Sequence, residues 1–164
     1  MAGPRTQEAA QLDDAQIAGR VLAFDRAEVQ TAESVKGKLS SAPAWELAQR
    51  LTVDNSARDQ QLEALAAPNQ PSASNGVAGG TELANLTGDA LDKAYVDREI
   101  KEHQAMLDAL DSQLIPSAKS EVLQRQLVDV RAETAAQLEE ARTAQHGQKN
   151  REILSQPEDI TFGP

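Results

Sequence analysis

Four stretches of this chain repeat apolar residues at intervals of three and four, and that pattern limits the possible folds more than anything else in it. The first stretch carries Ile17, Val21, Phe24, Val35 and Leu39, and the second Ala44, Leu47, Ala48, Leu51, Leu62 and Leu65. The third carries Leu91, Val96, Ile100, Leu107, Leu110 and Leu114, and the fourth Leu123, Leu127, Val130, Leu138 and Ala141. Such spacing gathers each set onto one face of a helix. No stretch alternates apolar and polar residues, so no sheet is predicted. A single amphipathic hairpin cannot bury its own stripe. The expected fold is therefore all-α, an antiparallel four-helix bundle with a long loop between its second and third helices.

Local signals set the boundaries. Asp13 and Asp14 offer caps to a first helix over 14–39. Ser40-Ser41-Ala42-Pro43 breaks the chain and restarts it, with proline in a first turn where its missing N–H costs nothing. This predicts a second helix over 42–66, with Trp45 as a packing anchor at its start. The run from Pro68 to Gly80 is rich in Pro, Asn, Ser and Gly, so 67–85 is expected to be a flexible crossover loop. A third helix is predicted over 89–114, with Ile115-Pro116-Ser117 ending it and capping a fourth over 117–145. His146-Gly147 is expected to end that helix. The predicted organisation is a flexible N-terminus over 1–12, one bundle domain over 13–145 and a polar C-terminal tail over 146–164.

Composition removes many functions. With 26 Asp and Glu against 16 Lys and Arg the net charge is −10, which argues against nucleic acid as a partner. No cysteine is present, so thiolate chemistry and disulfides are excluded, and two histidines are too few for a multi-histidine metal site in one chain. No stretch is apolar and long enough for a membrane span. Gly76-Val77-Ala78-Gly79-Gly80 lacks the Lys-Ser/Thr of a phosphate loop. The acidic residues Asp92, Asp97, Asp108, Asp111, Glu139 and Glu140 read as solvated helix faces.

Within the stripes, polar residues recur at matching heights. Stepping by threes and fours lands on Glu28 in the first helix, Asn55 in the second, His103 in the third, and Thr134 and Gln137 in the fourth. Such interior residues often do no more than bond one another and fix register. The expectation is a structural polar layer of Glu28, Asn55, His103 and Gln137, with no cofactor and no metal. Were a metal bound, Glu28 and the i, i+4 pair Glu99 and His103 would hold it. A general-base role for His103 fits poorly with its place on a core stripe, and no catalytic residue is expected.

The segment LTGDALDKAYVDREIKEHQAMLDALDSQLIP over 86–116 closely resembles the second half of the bacterial domain-of-unknown-function family 4142. AQIAGRVLAFDRAEVQTAE over 15–33 and LAQRLTVDNSARDQQLEALA over 47–66 resemble its first half more loosely. The resemblance spans about 13–145. It implies a ferritin-like helical bundle, usually exported to the periplasm or cell surface, with no assigned reaction. It also implies an Asp-His on the second helix, a His on the third and another on the fourth. His103 matches, while Asp54-Asn55 and Gln137 depart from that pattern, which implies a degenerate metal site.

These readings give two expectations for function. The first is a non-catalytic structural or accessory subunit whose partners are other proteins, a membrane-associated complex among them. The alternative is a ferritin-like metal-binding or stress-related module. The expected location is periplasmic or otherwise exported, with the leader removed, the alternative being cytoplasmic.

Overall fold

The computed structural model describes residues 12–66 and 79–155, and every regular element among them is helical. In chain order these are α1 (Asp14–Lys36), α2 (Ala42–Glu63), the short α3 (Gly79–Ala84), α4 (Gly88–Ala109), a π-helical turn (Leu110–Leu114), α5 (Ile115–Ser117) and α6 (Glu121–Ser155). The start of α1 is a capping box. Asp13 accepts from the Gln16 N–H at 2.7 Å, and the Gln16 side chain accepts from the Asp13 N–H at 2.9 Å. Asp14 caps a different helix start: its carboxylate accepts from the N–H groups of Lys119 and Ser120, both at 2.8 Å, and so ties α1 to the chain leading into α6. Ser41 caps α2, with Pro43 in the first turn.

Cross-helix hydrogen bonds fix the directions. Along α1 and α2, Asp25 meets Arg58 and Lys36 meets Gln49, so the two helices run in opposite directions. Between α4 and α6, Asp97 meets Gln145 and Gln104 meets Arg142, again antiparallel. The α2–α6 seam pairs Arg50 with Glu140 and Arg58 with Glu133, and the α1–α4 side pairs Arg20 with Gln113 and Ser40 with Asp92. It follows that α2 and α4 point the same way. Within the expected loop 67–85, residues 79–84 instead form α3, which places Leu83 in one buried cluster with Val35 and Leu91. Residues 67–78 lie outside the described residues, as do 1–11 and 156–164.

Buried apolar side chains form two clusters. One joins Val35, Leu47, Leu51, Leu91, Tyr95 and Ala141, and the other joins Ile17, Val21, Leu62, Leu110, Leu123 and Leu127. Each fully buried Leu or Val contributes about 1.5–3 kcal/mol. Along every long helix, the stretch between the clusters carries buried polar residues: Asp25 and Glu28, Asn55 and Arg58, Glu99 and His103, Thr134 and Gln137.

Three expectations need correction. The helix bearing Leu114 does not stop there. It passes through the π turn, where the Ile115 N–H bonds the Leu110 carbonyl, and ends at Ser117, so α6 starts at Glu121 rather than at 117. Proline at 116 cannot donate to the helix ladder, and the chain becomes extended only at Ala118. Second, 146–155 is not a tail but the last turns of α6. One interior glycine costs about 1 kcal/mol, less than the ladder that Gln148, Lys149, Arg151 and Glu152 prolong. These turns lie beside the start of α4, where Gln148, Arg151 and Ser155 share a cleft with Asp89 and Lys93. Third, Trp45 is 45% exposed and belongs to neither buried cluster, so it is no core anchor.

Candidate metal centre

Glu28 projects from α1, and Glu99 and His103, one turn apart, project from α4. All three are buried, at 1%, 0% and 0% exposure, and each brings one ligand atom within 4.8 Å of the other two. The His103 Nδ1–H donates to the Glu99 backbone carbonyl at 2.8 Å. In the neutral ring that bond leaves the Nε2 lone pair free, and Nε2 has no hydrogen-bond partner. The edge-on ring of Phe24, 5.5 Å away at 78°, packs against the imidazole. Glu28 Oε2 and both carboxylate oxygens of Glu99 are likewise without a hydrogen-bond partner.

Electrostatics sharpen the picture. Burial first, and then the neighbouring Glu28, push the Glu99 carboxyl well above the usual carboxylate range. Tyr95 lies one turn before Glu99, and its buried hydroxyl has no partner either. Burial, then the charges of Glu99 and Glu28, hold that phenol well above its ordinary value. Two buried carboxyls this close cannot both be ionised at low cost: a proton held on Glu99 is one answer, and a bound cation in its place would be another. The Nδ1-to-carbonyl bond is also the usual support for a metal-bound imidazole.

The other members of the band are arranged differently. Asn55 Oδ1 accepts from Gln137 Nε2 at 3.0 Å and from Arg58 Nη2 at 3.1 Å. The Arg58 guanidinium grips Asp25 with two donors and reaches Glu133 at 3.0 Å. Burial lifts the Asp25 carboxyl to about 6 against the pull of Arg58. Asn55 and Gln137, two positions of the expected polar layer, therefore belong with Arg58, while Glu28 and His103 belong with Glu99. Thr134 is buried but only bonds back to the Val130 carbonyl at 2.7 Å.

Sequence stepping missed Asp25 and passed over Arg58, although a charged residue on the core face of the second helix calls for a buried counter-charge. It also misplaced Asp92, which is no solvated face residue. Asp92 is buried and accepts from the Ser40 N–H at 2.9 Å and the Ser40 hydroxyl at 2.7 Å. Burial works upward on that carboxyl, but the bonds from Ser40 and Ser41 outweigh it and hold it below its usual value.

The family model of a domain of unknown function (DUF4142) matches residues 1–144. The chain belongs to this family. The match includes Glu28, Asn55, Arg58, Glu99, His103 and Gln137, so the whole buried polar band of this DUF4142 chain lies within the family domain. No curated protein and no solved structure matches it.

Proposed function

We propose that the chain is a divalent-metal-binding protein in which α1, α2, α4 and α6 form a ferritin-like antiparallel four-helix bundle around a single ion. One observation carries this reading: Glu28, Glu99 and His103 converge fully buried, with ligand atoms left unpartnered. The opposed directions of neighbouring helices and the shared direction of α2 and α4 support the bundle arrangement. Two carboxylates and one imidazole suit manganese, iron or zinc, and as three protein ligands they leave coordination positions for water or a substrate. Asn55 and Gln137 are not failed ligands of this centre, because they belong to the Arg58 group.

Melting chelator-treated protein with and without manganese, iron(II) or zinc tests the reading. An ion at a hundred times its dissociation constant adds about 2.7 kcal/mol to a folded state that binds it. At this chain length that is a rise of about 5–10 °C. The rise is expected in the wild type and absent from His103→Ala. Equal melting temperatures with and without every ion would sink the proposal.

A second reading, an accessory subunit of a protein assembly, draws on Ile153 and Leu154, which are 68% and 85% exposed at the end of α6. Sizing the protein as isolated from its source tests it, and a lone monomer would count against it. The two readings are compatible, since one concerns the interior and the other the end of a helix.

A further inference from the structure

Arg58 is the most enclosed cation described in the chain, and oxygens from three helices surround it. Its Nε donates to Asp25 Oδ2 of α1 at 2.7 Å and its Nη2 to Asp25 Oδ1. The same Nη2 donates to Asn55 Oδ1 of α2 at 3.1 Å, and Nη1 donates to Glu133 Oε2 of α6 at 3.0 Å. Gln137, 3% exposed, bonds Asn55 through its amide nitrogen while its own Oε1 has no partner. Without the guanidinium, what remains around its place is the buried Asp25 carboxylate, the half-exposed Glu133 carboxylate and the Asn55 amide oxygen, with the unpartnered Gln137 amide oxygen one hydrogen-bonded residue further on. Such a set of hard oxygens is the ligand chemistry of a divalent cation.

We propose that Arg58 is a tethered cation filling a second cation position in the buried band, so that the chain takes up one exchangeable metal ion rather than two. A guanidinium suits that task because it stays charged and meets carboxylates with a planar fork of donors. Carried on α2, it also competes at an effective concentration that a free ion cannot match. The position has a way in. Glu133 is half exposed, and a groove between α2 and α6 lined by Asp54, Gln61, Gln126 and Asp129 opens onto Arg58. The acids on that groove would draw a cation toward it if the guanidinium were absent. The count of one rests on the metal centre proposed above.

The test compares full-length, chelator-treated wild type, Arg58→Ala and Arg58→Lys by calorimetric titration with manganese. The same proteins are melted in methylguanidinium chloride and in an equal concentration of sodium chloride. Arg58→Ala is expected to take up one manganese ion more than wild type. Methylguanidinium should raise its melting temperature by several degrees while leaving the wild type unchanged. Arg58→Lys, which keeps a cation in place, should match the wild-type count. An Arg58→Ala protein with the wild-type count and no gain specific to methylguanidinium overturns the proposal, and so does an Arg58→Lys protein that takes the additional ion. If Arg58→Ala is unfolded, refolding by manganese or methylguanidinium supports the proposal and failure of both overturns it. The readout is a difference between variant and wild type. A wild type that binds no manganese therefore sinks the Glu28–Glu99–His103 centre and leaves this test standing.

Discussion

Asp25 and Glu28 sit one turn apart on α1, equally buried, yet their surroundings differ in kind. Asp25 belongs to a group with a buried cation at its centre: the Arg58 guanidinium donates to two carboxylates and an amide oxygen, leaving Asn55 Nδ2 and Gln137 Oε1 as its unpartnered atoms. Glu28 belongs to a group of two carboxyls and an imidazole with no buried cation, in which Glu99 lies beside Glu28 and 3.6 Å from the His103 Nδ1. Depth alone does not tell a scaffold from a site. The first group carries its own counter-charge, while in the second burial and the nearness of Glu28 hold the Glu99 carboxyl well above the usual carboxylate range.

The sharpest way to break this contrast is to remove the counter-charge. Arg58→Ala or Asp25→Ala strands a buried charge and should cost about 3–5 kcal/mol, read from urea denaturation. A loss under about 1 kcal/mol would mean that the Arg58 group is no better paired than its neighbour.

The opposite sign is expected on the other side. In metal-free protein near pH 7.5, Glu99→Gln should stabilise by about 1–3 kcal/mol, because it removes a carboxyl that burial and Glu28 oppose. The sign with pH follows. Glu99 takes up its proton in the folded chain well above 4.5, its ordinary value, so between the two the folded chain holds more protons than the unfolded one. Stability from this group is full at low pH and falls as pH rises through the raised value. Asp25, lifted from 3.8 to about 6, adds a slope of the same sign over that lower range. Metal-free wild type should therefore be more stable at pH 5 than at pH 8, and Glu99→Gln should lose the part of the slope above about pH 6. A wild type whose stability climbs over this range would show that both carboxylates are as well paired as an ordinary surface ion pair.

The smallest effect belongs to the hydroxyl beside the acids. Tyr95→Phe removes a buried group with no partner and should change metal-free stability by no more than about 0.5 kcal/mol. A cost above about 1.5 kcal/mol in urea melts would reveal a bond to that hydroxyl and make the unpartnered group smaller than described.

How far the sequence foretold this depends on whether a feature is local. The stripes are periodic within each helix, so most of the buried apolar positions were legible, down to Leu123, Leu127 and Val130 in α6, whereas Leu22 and Tyr95, off those steps, and Leu83, in the expected loop, were not. The inward polar positions Glu28, Asn55, His103 and Gln137 were legible for the same reason. How they divide into groups was not, because Asp25 meets Arg58, and Glu28 meets Glu99, across helices that no spacing relates. Asp92 was misread on the same ground: its partners are in the turn before α2, far away in sequence. The length of α6 was lost to a different cause. Gly147 is a local stop signal, but the helix continues past it alongside the first turns of α4.

The π turn at Leu110–Leu114 bears on how this chain tolerates a change in length. A regular helix advances about 100° per residue, so losing one residue ordinarily swings everything on one side of the deletion out of the core. A π turn holds one residue more than the α-helical turn it replaces, and so stores that residue as slack. Asp111, Ser112 and Gln113, all exposed, make up its outer arc. Losing one of them would tighten the arc into ordinary helix, with Leu110 and Leu114 still facing inward. The helix that carries Glu99 and His103 can thus be shortened by one residue without turning either side chain away from Glu28.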